Sequence, residues 1–180
     1  MACKACCRGW LARLEDAAQP ALETMIAGNP LLLALQNQET VALWAVKTIL
    51  MLQLVHDPEL MPVAVFRELR DKQRPPTAFR IAVGLRPREG RWPLGFAAQA
   101  SAATLRRWDV GPTFPGATID HYRAELCVGH LVVRAGANFT PHARPIDRDP
   151  ATVEIWPARV PMRWPPARGL VRIRPERVAA

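Results

Sequence analysis

The sequence predicts an α+β fold: N-terminal helices packed on a mainly antiparallel C-terminal sheet, in a single domain over residues 1–180. Three observations carry this expectation. Up to about residue 75, apolar residues recur at three-to-four spacing. From residue 79 they alternate with a period of two. The change falls at the helix-breaking run Arg74-Pro75-Pro76. The chain divides accordingly into a helical part, 1–75, and a β-rich part, 76–180, with no internal repeat.

The first helix is predicted from Trp10, Leu11, Leu14, Ala17 and Ala18, with Arg13 and Glu15 facing away. Pro20 lacks an N–H and must kink this helix or start a new one, and Leu22, Met25 and Ile26 continue the stripe. Gly28-Asn29-Pro30 is a stop signal. The second helix is expected from Asn37, a suitable N-cap, to about His56. It is apolar nearly all round (Val41, Leu43, Trp44, Val46, Ile49, Leu50), which places it at the centre of the core. A third helix has Pro62 at or near its first position and Val63, Phe66 and Leu69 on its inner face.

In the β-rich part, Phe79, Ile81, Val83 and Leu85 alternate with Arg80, Ala82, Gly84 and Arg86, the pattern of a half-buried strand. Leu94, Phe96 and Ala98 predict its return strand, which would make a hairpin. Tyr122 to Arg134 reads as one central strand, apolar on both faces, with Gly129 as a bulge position. Val153–Trp156 and Leu170–Arg174 are short strand candidates. The Pro-rich stretches 136–150 and 157–166 read as loops.

Composition excludes several classes. The chain carries 24 Lys and Arg against 16 acidic residues, a net charge of +8, and 49% of it is apolar, so it holds a core and is not a disordered tail. The most apolar run, Val41–Val55, contains Lys47, Thr48 and Gln53 and is shorter than the ~20 residues a spanning helix needs, so no membrane segment is expected. No secretory signal precedes the first helix, and four cysteines at uneven spacing do not make a disulfide framework, so a reducing cytoplasm is expected. Cys127, in an apolar run, is read as a small buried hydrophobe.

Charge is uneven. Residues 1–90 hold 11 basic and 9 acidic side chains, and residues 91–180 hold 13 and 7. In the basic tail, Arg163, Trp164, Arg168, Arg172 and Arg174 are candidate DNA or RNA contacts, since guanidinium groups hold phosphates and indoles stack on bases. The plainer reading of the same residues is a solvated edge strand on which arginine blocks aggregation.

Chemistry centres on Cys3-Lys4-Ala5-Cys6. Two residues between thiols let both sulfurs turn toward one Zn²⁺, and one such knuckle supplies half of a four-ligand site. Cys7, Cys127, His56, His121, His130 and His142 are the other conceivable donors, none in a second paired pattern. A redox dithiol would need a preceding strand, for which a motif starting at residue 3 leaves no room. His121 with Glu125, or Asp147 with Asp149, are the loosest candidates for acid–base work. Phosphate-loop, dinucleotide and nucleophile-elbow motifs are absent.

The run Cys6-Cys7-Arg8-Gly9-Trp10-Leu11-Ala12-Arg13-Leu14-Glu15 resembles the second zinc knuckle of bacterial proteins related to HNH-type endonucleases, roughly C-x-x-C-N-x-G-W-M-x-x-L-E on a treble-clef finger. Trp44-Ala45-Val46-Lys47-Thr48, Ile155-Trp156-Pro157 and Trp164-Pro165-Pro166 resemble further short blocks of the same proteins. The resemblance implies zinc ligation by Cys3 and Cys6. It assigns no catalytic residue, because the family's earlier C-x-x-C and its Glu-His segment would lie upstream of Met1, and Cys7 and Leu11 replace the family's Asn and Met. The expectation is therefore a non-enzymatic remnant of an HNH-like zinc-knuckle protein that binds nucleic acid weakly. The alternatives are a fragment of an active nuclease with a misplaced start, or an accessory factor that binds a protein partner.

Overall fold

A computed structural model describes residues 9–57, 60–87, 94–101, 119–139 and 150–167. Among the described residues, three helices precede the main sheet: α1 (Trp10–Ile26), α2 (Leu35–His56) and α3 (Val63–Lys72). The strands are β1 (Leu31–Leu33), β2 (Phe79–Leu85), β3 (Leu94–Ser101), β4 (His121–Val128), β5 (Leu131–Asn138), β6 (Thr152–Trp156) and β7 (Met162–Trp164). β2–β6 form an antiparallel sheet in the order β3-β4-β5-β2-β6, and β1 pairs with β7 in a separate ribbon. The fold is α+β, as expected.

α1 runs through Pro20 without interruption. Proline at this position deprives the Asp16 carbonyl of its partner, but both residues lie on the exposed face, where water replaces the lost bond. The helix ends where Gly28 takes a φ of 76°, in agreement with the stop signal. α2 starts at Leu35, two residues before the expected Asn37, and its N-cap is Ala34 with no side-chain capping bond. Packing overrides capping here: Val41, Ala42, Ala45, Val46 and Ile49 are all fully buried. Val63 was expected on the inner face of α3. It is 63% exposed; Val65 turns inward in its place, and Leu69 is buried as expected.

The sheet departs from the expected pairing in two places. β3 does not return against β2; it pairs with β4, with Phe96 opposite Leu126, while β2 lies between β5 and β6. The expected single strand from Tyr122 to Arg134 is a hairpin, β4 and β5, with Val128 opposite Leu131 across Gly129-His130. Gly129 has a φ of 56°, the positive value that a two-residue turn needs at its first central position. The proline-rich stretch after Trp156 contains β7, and residues 136–138 belong to β5. The strand expected at Leu170–Arg174 lies outside the described residues.

One face of the sheet is covered by the helices. Tyr122 Oη donates to Gln53 Oε1 of α2 at 3.2 Å, and Phe79 packs edge-on between Tyr122 and Phe139. Burial holds the Tyr122 phenol protonated, well above its ordinary range. Trp164, 1% exposed, is the largest fully buried side chain, and it and Met162 carry the β1–β7 ribbon into the same core. The buried amide of Gln38 donates to Leu33 O at 3.0 Å and to Val160 O at 2.8 Å, so it joins the start of α2 to both sides of the ribbon.

The β4–β5 turn docks on the end of α1. His130 N donates to Ile26 O at 2.9 Å, and Arg86 Nε donates to Gly129 O at 2.6 Å. A Cβ at Gly129 would lie 2.6 Å from both Ile26 O and an Ile26 methyl carbon. Gly129→Ala should therefore destabilise the protein by on the order of 2 kcal/mol or more, since backbone must move and φ is positive. Urea unfolding of the two proteins checks this, and equal midpoints would contradict it.

Candidate functional site

The alternation that sends Tyr122, Ala124 and Leu126 to the helices sends His121, Arg123, Glu125 and Cys127 to the other face of the sheet. Across the hairpin, Asn138, Gly136, Arg134 and Val132 stand opposite these four, in that order. β2 adds Arg80 opposite Gly136 and Ala82 opposite Arg134, and β6 adds Glu154 opposite Ala82. The outer face therefore has one row reading Arg123, Gly136, Arg80 and the next reading Glu125, Arg134, Ala82, Glu154. With strands about 4.8 Å apart, the two arginines of the first row spring from backbone about 10 Å apart, with a glycine between them.

The polar groups order one another. Arg123 Nε donates to His121 Nε2 at 2.6 Å, so that nitrogen is the acceptor and the imidazole proton sits on Nδ1, which donates to Asn138 Oδ1 at 2.8 Å. Arg134 Nε donates to Glu125 Oε2 at 2.7 Å, and Arg80 pairs with Glu154 at 3.1 Å. Arg80, at the sheet's open side, keeps 46% of its side-chain surface in solvent. His121 and Glu125 are thus each occupied by a guanidinium, which argues against the acid–base pairing suggested for them.

Cys127 is buried beside Val132, and its thiol donates to Glu125 Oε1 at 3.8 Å. Burial first, and then the Glu125 charge, push the thiol up to about 11. The reading of Cys127 as a small buried hydrophobe agrees with this. At pH 8, native Cys127 should react with iodoacetamide on the order of 100-fold more slowly than a free thiol. Its rate should keep rising with pH toward about 11, because only deprotonation supplies the nucleophile. Peptide mass mapping separates it from the other cysteines, and a rate that levels near pH 9 would refute the assignment.

Cys3 and Cys6 lie outside the described residues, as do Arg168, Arg172 and Arg174. Among the described residues, no three His, Cys, Asp or Glu side chains gather as a metal site. His121 and His130 stand at opposite ends of the hairpin. His130 Nδ1 is 3.0 Å from Arg86 O, and His56 stacks on Phe96. Each of these histidines is thus already engaged within the fold. The pairing of Arg163 with Trp164 as a nucleic-acid contact is also corrected. Arg163 is exposed on β7, but Trp164 is core and presents no face on which a base could stack.

Two of the sequence blocks that carry the HNH-like resemblance meet in the fold. Glu15 of α1 accepts Trp44 Nε1 of α2 at 2.9 Å and forms an ion pair with Lys47. Trp10 packs against the core at the head of α1, and Trp156 lies under the guanidinium of Arg74 at 5.6 Å. Both Trp-Pro elements have cis peptide bonds, at Trp156-Pro157 and Trp164-Pro165. Compared with known proteins, the chain matches no family model, no curated protein and no solved structure. No helix among the described residues is long and apolar enough to cross a membrane.

Sequence reasoning missed Arg123, Arg134 and Asn138 as members of one face. The signal was available as a change of parity. Outward polar residues are odd-numbered before Gly129 (121, 123, 125) and even-numbered after it (134, 138), which a two-residue turn produces and a continuous strand does not.

Proposed function

We propose that the protein is a non-enzymatic nucleic-acid-binding module, a remnant of an HNH-endonuclease-like zinc-knuckle protein, and that it holds phosphates on the outer face of its sheet. The observation that carries this reading is the row Arg123-Gly136-Arg80, with Arg134 on the next row. Gly136, between the two arginines, is itself buried, so the phosphate contacts fall to the guanidinium groups. A guanidinium carries five donors in a planar fork whose geometry matches that of a phosphate. The overall charge of +8 adds a long-range attraction for polyanions. On this reading Arg163 contributes charge from the edge, and Arg168, Arg172 and Arg174 extend the basic surface.

The kinship is supported by the meeting of Glu15 with Trp44 and Lys47, because it gives one structural reason for three of the motif positions. Cys3 and Cys6 are the zinc ligands that this reading assigns. The rest of the clamp would come from outside the described residues.

Binding of a labelled 20-mer DNA, followed by anisotropy from 50 to 300 mM salt, tests the reading. Affinity should fall steeply with salt, and Arg80→Gln with Arg123→Gln should reduce the log–log slope by about 2. Binding that is absent at 50 mM, or a slope unchanged in the double variant, would remove this surface from the account. Incubation of plasmid with the protein and Zn²⁺ or Mg²⁺ should leave the plasmid intact, and nicking would overturn the non-enzymatic half.

A further inference from the structure

A second surface has a different chemistry and does not depend on the reading above. Leu32 is 64% exposed, Leu35 43% and Val160 68%. They come from β1, the first turn of α2 and the loop before β7, and the Gln38 amide draws these three segments together through its bonds to Leu33 O and Val160 O. Leu32 stands opposite Arg163 on the outward side of the ribbon, while Leu33, Met162 and Trp164 face the core. Arg159, beside Val160, is also exposed.

The electrostatics of this patch are one-sided. Arg159 and Arg163 stand at its rim. α2 begins there with no capping side chain and no acid in its first turn, so its leading N–H groups and the positive end of its dipole face outward. Glu39, on α2, is bonded to Arg74 at 2.7 Å, and Glu23, on α1, accepts from Gln19 at 2.7 Å. Apolar contact and positive charge coincide on one surface. We infer that Leu32, Leu35 and Val160, rimmed by Arg159 and Arg163, form a docking site for an acidic amphipathic segment of a protein partner.

Charge complementarity selects this occupant. Aliphatic side chains of the segment cover the three exposed ones, and its carboxylates meet Arg159, Arg163 and the head of α2. A second copy in a two-fold contact would set Arg163 and the positive end of α2 against their own images. A phosphate backbone would meet the arginines and leave three aliphatic side chains in water.

Selection of a random 16-residue peptide display library on the immobilised full chain tests this, with counter-selection on Leu32→Ser/Val160→Ser and on Arg163→Glu. All three substituted positions are exposed, and circular dichroism of the variants confirms their fold. Enriched peptides should interleave at least two Asp or Glu with aliphatic residues. As synthetic peptides they should bind the wild type at least tenfold more tightly than either variant, and they should shift the amide resonances of 32, 35, 160 and 163. Enriched peptides that are basic or neutral, or insensitive to these substitutions, would overturn the proposal. So would failure to enrich, or a DNA 20-mer that shifts the same resonances and displaces the peptide. Loss of DNA binding in Arg80→Gln/Arg123→Gln with peptide binding retained would show that the two surfaces act separately.

Discussion

The middle of α2 is apolar on nearly every side, and a helix of that composition is stable only where water is excluded all round it. The rest of the chain answers that requirement. α1 lies along one side, the sheet covers another, and the β1–β7 ribbon closes the end at which the helix begins. Of the polar groups admitted to this interior, Tyr122 is bonded to Gln53 and Gln53 in turn to the Asp57 carbonyl, whereas Thr48 Oγ1 and Trp164 Nε1 are buried with no hydrogen-bond partner. An amide left alone at that depth would lose its water without replacement.

Since one face of the sheet is committed to α2, the chemistry has only the other. That face is a lattice of charge pairs, with His121 held by a guanidinium of its own strand and Glu125 by one from the adjoining strand. Such an arrangement presents donors at fixed spacing. The apolar patch at the opposite margin has the reverse character, with aliphatic surface outward and charge confined to its rim.

Most of the architecture was legible because burial and period are coupled. The stripes of α1, the wholly apolar α2 and the alternation of β2 all had one physical reading. The errors share a cause. Tyr122–Arg134 looked continuous because its turn has one glycine and no proline or Asn, and β3 was given to β2 because adjacency in sequence was taken for adjacency in the sheet. β1 and β7 escaped notice because three residues are too few to show a period, and their pairing is settled by Trp164 and Leu33 seeking the core. For the site, arginines were legible as charge but not as a surface. Which ones share a face depends on hairpin phase, and Trp164, adjacent to Arg163 in the chain, points away from it.

The bond from Gln38 to Val160 spans 122 residues of chain. Contacts of that span form late, because the intervening chain must be ordered before they can close. During synthesis the helical hairpin therefore leaves the ribosome with its ribbon incomplete and its leucines unsheltered. The ribbon is complete only once β7 has emerged, so a shortened product that stops before residue 160 would expose hydrophobic surface and invite proteolysis.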